Sequence, residues 1–187
     1  MNGVVLYNIS YGNENPTLMF DTIYSICSKT NFMCADMISW KKNSAMPNNV
    51  GNKLTRICEP VFVFCRKSEY LTYKVNKQVT SISKTGQKYY STFDNIILAR
   101  NNDGVTSLNS ATYSTELVEK LIYIYAPKGY VIYDPFMGTG TTANACKMLG
   151  YDCYGSEISE KQVEYARSRV ELISNSGSSN ITKGSLF

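Results

Sequence analysis

The chain has 187 residues, 43% of them hydrophobic, a formal net charge of +4 and no histidine at all. That length supports a domain with a real core, and the lack of histidine excludes His-based acid–base catalysis, a Ser-His-Asp triad and most catalytic zinc sites, so no metal is expected. No stretch approaches the roughly 20 apolar residues of a membrane span, and the N-terminus shows no basic region and cleavage pattern of a signal peptide.

Gly3 to Ile9 reads as a buried strand, and Ser10 to Asn15 as a turn-rich loop. Asn15 as N-cap and Pro16 as first helical residue predict a helix, with Leu18, Phe20, Ile23, Tyr24 and Cys27 as its apolar face. Met33 to Trp40 is the next strand. Asn43 to Asn52, with Pro47, Gly51 and four asparagines, is an exposed loop, and Glu59 to Cys65 is another buried strand. From Lys67 to Asn109 polar residues dominate, with a turn at Lys84–Gln87; this reads as a loop-rich insertion. Ser114 caps a helix over Thr115 to Tyr125.

Tyr130 to Glu157 then forms a strand, a Gly-rich loop, a helix, a second strand and an acid. Tyr130–Tyr133 is a short apolar run. Gly138-Thr139-Gly140 makes a loop that small residues allow, and Thr141 or Thr142 opens a helix to about Leu149, which Gly150 ends. Tyr151 to Ser156 is a strand with Glu157 at its tip. Such a unit places free backbone N–H groups at a helix N-terminus and a carboxylate about one nucleoside away, the requirements of an adenosine-containing cofactor. Ser159 with Gln162 predicts a capping box and a helix to about Ile173; Ser174 to Phe187 reads as a flexible tail. Alternating strands and helices argue an α/β fold with a mostly parallel sheet.

The six cysteines, Cys27, Cys34, Cys58, Cys65, Cys146 and Cys153, form no Cys-x-x-Cys pair and mostly sit in apolar surroundings. They read as buried free thiols in a reducing cytoplasm. Residues 41–100 hold eleven Lys or Arg against three acids, Glu59, Glu69 and Asp94. This suits either a polyanionic partner or a solvated lysine-rich surface.

Asp134-Pro135-Phe136-Met137-Gly138-Thr139-Gly140-Thr141-Thr142, followed by Gly150-Tyr151-Asp152-Cys153-Tyr154-Gly155-Ser156-Glu157-Ile158, resembles the cofactor motif of the permuted (beta-class) DNA amino-methyltransferases. Thr115–Ile122 resembles the helix before that motif, Ile38–Lys42 a strand ending in Trp-x-Lys, and Cys58–Phe64 the strand after it, all in the permuted order. The resemblance implies a three-layer class I methyltransferase (Rossmann-like) sheet. It also implies S-adenosylmethionine as cofactor, double-stranded DNA as partner, and methylation of the exocyclic amine of adenine or cytosine. The implied organisation is residues 1–66 as the N-terminal part of the sheet, 67–109 as a variable target-recognition-like insertion, 110–173 as the cofactor-binding part and 174–187 as the tail.

Carried over by position, Asp134, Pro135 and Phe136 would border the methionine end of the cofactor. Gly138, Thr139 and Gly140 would let the backbone approach it, and Thr141 and Thr142 would offer hydroxyl and N–H donors. Glu157 would accept from both ribose hydroxyls, and Tyr113, Ser114 and Thr115 would close the methionine side. Trp40, Lys41, Lys42, Lys84 and Lys88 would face DNA. Plainer roles stand beside these: Glu157 as a helix cap, Phe136 as core, Trp40 as a structural residue, and Lys41 and Lys42 as solvated charges.

The family's catalytic motif, (Asp/Asn/Ser)-Pro-Pro-(Tyr/Phe), does not occur: Asn15-Pro16-Thr17, Glu59-Pro60-Val61 and Ala126-Pro127-Lys128 all lack its second proline. In the family the strand carrying that motif lies between the equivalents of Tyr130–Asp134 and Gly3–Ile9, so the sheet is expected to be short of one central strand. The reading is a fragment or split subunit, inactive in methyl transfer alone, with another chain supplying the missing strand and motif. The alternative is a non-catalytic relic that binds DNA or a partner subunit. A nicotinamide oxidoreductase is disfavoured, because Asp-Pro-Phe does not fit a dinucleotide fingerprint.

Overall fold

A computed structural model describes residues 3–10, 15, 17–104, 107–109 and 111–176. The chain splits into two compact units, Met1–Ala99 and Arg100–Phe187, a division that falls inside the 67–109 segment. No helix among the described residues is long and apolar enough to cross a membrane.

In the first unit, β1 (Val5–Asn8), β2 (Phe32–Lys42), β3 (Cys58–Arg66) and β6 (Ile96–Ala99) form one sheet in the order β1-β3-β2-β6. β3 is its core: Val61 to Cys65 are all buried, as expected of a strand enclosed by neighbours on both edges. The sheet departs from the mostly parallel expectation at this strand. β3 is antiparallel to both β1 and β2, while β6 is parallel to β2, so β3 alone runs against the other three. Residues 43–57, which link β2 to β3, contain no helix, the element that usually carries a crossover between parallel strands.

Helix α1 (Leu18–Lys29) starts two residues later than Asn15 and Pro16 predict, with Thr17 in place of Asn15 at its N-cap. The Asn15 Oδ1 still serves the helix entry, accepting from the N–H groups of Thr17 (3.1 Å) and Leu18 (3.0 Å); Pro16 lies outside the described residues. Its buried face differs from expectation. Met19, Ile23, Ile26 and Cys27 pack against Phe62 and Phe64 of β3, whereas Leu18, Phe20 and Tyr24 are exposed. A short 3-10 turn (Lys67–Glu69) leads to a hairpin of β4 (Val79–Ile82) and β5 (Lys88–Tyr90) around the expected turn. β6, not foreseen, follows as the sheet's outermost strand.

The second unit holds α2 (Thr115–Tyr125), β7 (Val131–Asp134), α3 (Thr141–Leu149), β8 (Asp152–Gly155) and α4 (Glu160–Ser176). β7 and β8 pair in parallel, Val131 opposite Asp152 and Asp134 opposite Gly155, so the two strand tips end together. α2 and α3 pack on one face of this pair through Val118, Ile122, Ala145 and Cys146, against Ile132 and Cys153. The other face is open: Val131, Tyr133 and Tyr154 are exposed. Ser114 caps α2 as expected, its Oγ accepting from the Leu117 N–H at 3.2 Å. Gly150 ends α3 in the left-handed conformation, φ +69°. The expected capping box at α4 does not form. The Ser159 N–H donates to Glu157 Oε1 (2.8 Å) and the Gln162 side chain is engaged by Asn109. α4 runs on to Ser176, and 177–187 lie outside the described residues.

All six cysteines are free thiols. Cys65 and Cys146 are fully buried, but Cys58 is exposed, against the expectation of burial, because it opens β3 at the sheet's rim.

Candidate cofactor site

The second unit gathers most of the expected ligand residues at the ends of β7 and β8. Asp134 closes β7. Its Oδ2 accepts from the Thr142 hydroxyl at 2.6 Å and the Tyr113 hydroxyl at 3.0 Å, and its Oδ1 from the Phe136 N–H at 2.9 Å. This carboxylate ties strand, loop and helix start together. Burial first, and the Asp134 charge next, push the Tyr113 phenol well above its ordinary range, so Tyr113 stays a proton donor to Asp134 at any physiological pH. Asp134 Oδ2 accepts two bonds and Oδ1 one, so most of this carboxylate is committed to the protein itself.

Between β7 and α3 the loop doubles back tightly. Gly138 and Gly140 have φ of +54° and +82°, and a Cβ on Gly140 would lie 2.6 Å from the Ala166 Cβ. Gly140 is the N-cap of α3, with no side chain to cap it. The N–H groups of Thr141, Thr142 and Ala143 therefore have no acceptor within the helix, and the positive end of the helix dipole points the same way. That is an anion- or dipole-binding end.

Glu157 stands across from it, two residues beyond β8. Oε2 accepts from the Gly138 N–H at 2.9 Å and Oε1 from the Ser159 N–H at 2.8 Å. These bonds, Ser159 first and Gly138 second, hold its carboxyl below the usual glutamate range. Each oxygen of an ionised carboxylate has two lone-pair sites, so one on each remains for a pair of hydroxyls. Glu157 thus caps the entry to α4 and keeps the capacity of a ribose ligand; the two readings of it are compatible. A cleft of about 420 Å³ reaches Gly138 and Glu157; its walls include the apolar Met137, Val163 and Val170 and the charged Arg167 and Glu171, a size suited to a small molecule.

Other expected residues take different places. Phe136 is 83% exposed, which rules out core packing and leaves an aromatic face on the rim. The hydroxyls of Thr141 and Thr142 are not open to a ligand: Thr142 donates to Asp134, and Thr141 Oγ1 accepts from Arg169 at 3.5 Å. Thr139, Ser114 and Thr115 are buried. Ser114 Oγ donates to the Arg100 carbonyl at 2.8 Å, and the Thr115 hydroxyl is bound to Asp103. Only Tyr113 of the 113–115 run reaches Asp134. Ile158, part of the motif but given no role from the sequence, is fully exposed directly after Glu157.

The expected DNA residues lie in the first unit and divide sharply. Trp40 is 3% exposed and its Nε1 donates to the Ala99 carbonyl at 3.2 Å. It is a satisfied core residue, and the expectation of a DNA contact there is corrected. Lys42 pairs with Glu59 and lies 5.0 Å from the Trp40 ring centre, so its charge is already matched. Lys41, Lys84 and Lys88 are exposed, the last two on the β4–β5 hairpin. Among the described residues no cluster of His, Cys, Asp and Glu could hold a metal ion.

Comparison with known proteins places this geometry. Residues 1–168 match the N6/N4 family model described as DNA methylase. The Type II methyltransferase M.SmaI of Serratia marcescens is 27% identical over 134 residues, 71% of this chain and 44% of that protein. M.HinfI of Haemophilus influenzae is 25% identical over 165 residues, 82% and 45% respectively. The chain thus spans less than half the length of these relatives. Among solved structures, that of M1.HpyAVI with S-adenosylmethionine superposes with a TM-score of 0.60 at 26% identity, covering 90% of this chain and 75% of that one. The cytosine-N4-specific PvuII DNA methyltransferase gives 0.66 at 16% identity, over 93% and 67%, a likeness of fold. With the family model matching nearly the whole chain and the same α/β architecture in solved methyltransferases, the chain belongs to the N6/N4 DNA methylase family.

Proposed function

We propose that this chain is the cofactor-holding part of a DNA amino-methyltransferase. It binds S-adenosylmethionine at the Gly138–Thr142 loop and works on the exocyclic amine of adenine or cytosine in double-stranded DNA. The observation that carries the reading is the opposition of the uncapped α3 N-terminus to Glu157 at the tips of two paired strands.

When bound, S-adenosylmethionine supplies an electrophilic methyl group on a sulfonium. The chain's own residues orient it. Glu157 takes the ribose hydroxyls on its remaining lone pairs, the 141–143 amides and helix dipole favour the carboxylate end, and Phe136 and Ile158 offer apolar surface. Asp134, held by Tyr113, Thr142 and Phe136, keeps the loop and α3 in register and moves no proton. The basic, exposed β4–β5 hairpin with Lys84 and Lys88, together with Lys41, supplies phosphate contacts that position without reading sequence. Cytoplasmic residence fits the DNA substrate and the six free thiols.

The groups that accept hydrogen bonds from the target amine come from another polypeptide segment, since the chain contains no (Asp/Asn/Ser)-Pro-Pro-aromatic sequence. Two features support such a partner. Among the described residues β7 pairs with β8 only and β1 with β3 only, so each has an edge of unpaired backbone groups ready for a strand. The face of β7–β8 bearing Val131, Tyr133 and Tyr154 is also apolar and exposed. The test is incubation of the chain alone with labelled S-adenosylmethionine and mixed-sequence duplex DNA. No label is expected to reach the DNA; robust labelling would overturn the division of labour.

A further inference from the structure

The face of α4 that meets the glycine loop carries Gln162, Ala166 and Arg169, spaced four and three residues apart and so stacked on one side of the helix. Gln162 Oε1 accepts from Asn109 Nδ2 at 3.3 Å, beside Gly138. Ala166 fills the space that a Cβ on Gly140 would need. Arg169 reaches furthest. Its Nη1 donates to the Thr139 carbonyl at 3.0 Å, and its Nη2 lies 3.4 Å from Asp103 Oδ2. The pair is mostly enclosed, with side chains 19% and 21% exposed. Asp103 in turn accepts from the Thr115 N–H at 2.9 Å and from its hydroxyl, and Asn144 of α3 donates to that hydroxyl at 3.2 Å.

We propose that Arg169, oriented by Asp103, is the positioning residue that sets the shape of the cofactor loop from behind. The reason lies in one peptide group. In a planar trans peptide the C=O and the following N–H point in opposite directions. With the Thr139 carbonyl drawn to the Arg169 guanidinium, the Gly140 N–H must face the other way, where it donates to the Met137 carbonyl at 2.9 Å. Both halves of the 139–140 peptide are thereby fixed. Glycine at 140 removes the steric barrier that would otherwise resist a flip, so the orientation depends on these partners. A flipped peptide would re-aim the first turn of α3 and its three free amides. Arginine suits the task because its planar fork serves the carbonyl and the carboxylate at once, which a lysine nitrogen does poorly. Asp103, whose other oxygen lies 3.6 Å from the Arg100 guanidinium, offsets part of the Arg169 charge and holds its fork in place.

The assignment deepens the cofactor reading and rests on it for its consequence, but its test does not require a ligand. Backbone amide hydrogen exchange of the ligand-free chain is followed by NMR in Arg169→Ala, Arg169→Lys and Asp103→Asn. In Arg169→Ala the Gly140 amide is expected to exchange on the order of tenfold faster, while Cys146 and Leu149 within α3 keep their rates. Arg169→Lys and Asp103→Asn are expected to fall between it and the parent. An unchanged Gly140 amide, or acceleration spread evenly over the second unit, would overturn the proposal. If Arg169→Ala does not fold, Arg169→Lys decides by the same two patterns. Titration with S-adenosylhomocysteine separates the readings. Loss of loop protection in Arg169→Ala, alongside a parent chain that binds no S-adenosylhomocysteine, would uphold the clamp while refuting the cofactor role.

Discussion

Replacing Gly140 by alanine should damage the loop in two separable ways. At φ +82° an L-residue costs about 1–2 kcal/mol in the left-handed region. The new methyl would also sit 2.6 Å from the Ala166 Cβ and 3.0 Å from its Cα, close enough to force α4 outward; overpacking of this kind costs about 1–3 kcal/mol. The expected loss is about 2–5 kcal/mol, a large share of the 5–15 kcal/mol that holds a typical fold together. Gly150 provides the internal standard. Its φ is +69°, yet nothing lies within 4 Å of an added Cβ, so Gly150→Ala should cost only the conformational part, about 1–2 kcal/mol. Urea unfolding followed by far-UV circular dichroism compares the two. Adding Ala166→Gly to Gly140→Ala should recover part of the steric cost, giving a coupling of about 1 kcal/mol or more. Equal losses at 140 and 150, or strict additivity in the double variant, would refute the packing of α4 on the loop.

Other outcomes follow from the same geometry. Tyr113→Phe removes one of the three donors to the Asp134 carboxylate and is expected to lower the urea midpoint by about 1–2 kcal/mol equivalent; no change would show that this hydroxyl is dispensable. Trp40→Phe should destabilise the chain while leaving retention on duplex DNA unaltered, because Trp40 is core; weakened DNA retention at full stability would reinstate it as a DNA-facing residue. Lys84→Ala with Lys88→Ala should make the salt dependence of DNA retention shallower, by about 0.9 in logarithmic slope for each phosphate no longer neutralised, and an unchanged slope would remove the hairpin from the interface. Glu157 has a folded pKa lowered relative to its unfolded one, so its stabilisation is complete above the ordinary glutamate value of about 4.3 and fades as pH falls through the depressed value. The stability gap between the parent and Glu157→Gln should therefore be constant near neutrality and narrow only in acid; a gap that widens on acidification would contradict the bonding described.

Local signals carried α2 and α3. The cap at Ser114 and the left-handed stop at Gly150 are set by neighbours within four residues, and both helices begin and end where those residues say. Long-range pairing was illegible. β6 is a four-residue apolar run, Ile96–Ala99, set in an otherwise polar stretch that masked it, and nothing local shows that it pairs with Ser39–Lys42. The same pairing decides Trp40, whose partner carbonyl belongs to Ala99; read alone, a tryptophan before two lysines looks like a surface. The α1 stripe offered two overlapping apolar faces, and packing against Phe62 and Phe64 selected the one with Met19. At the site, glycines and the acid were legible as a motif, but the use of the threonine hydroxyls was not. Thr141 is engaged by Arg169 and Thr115 by Asp103, residues that no motif connects and that lie 66 positions apart.

The central claim is that the Gly138–Thr142 loop and Glu157 together hold an adenosine cofactor. Isothermal calorimetry with S-adenosylhomocysteine tests it most directly, on the parent chain and on Glu157→Gln and Glu157→Ala. One-to-one binding by the parent, weakened tenfold or more by either substitution, is the expected result. No heat of binding from the folded parent, or equal affinity in all three proteins, would contradict it.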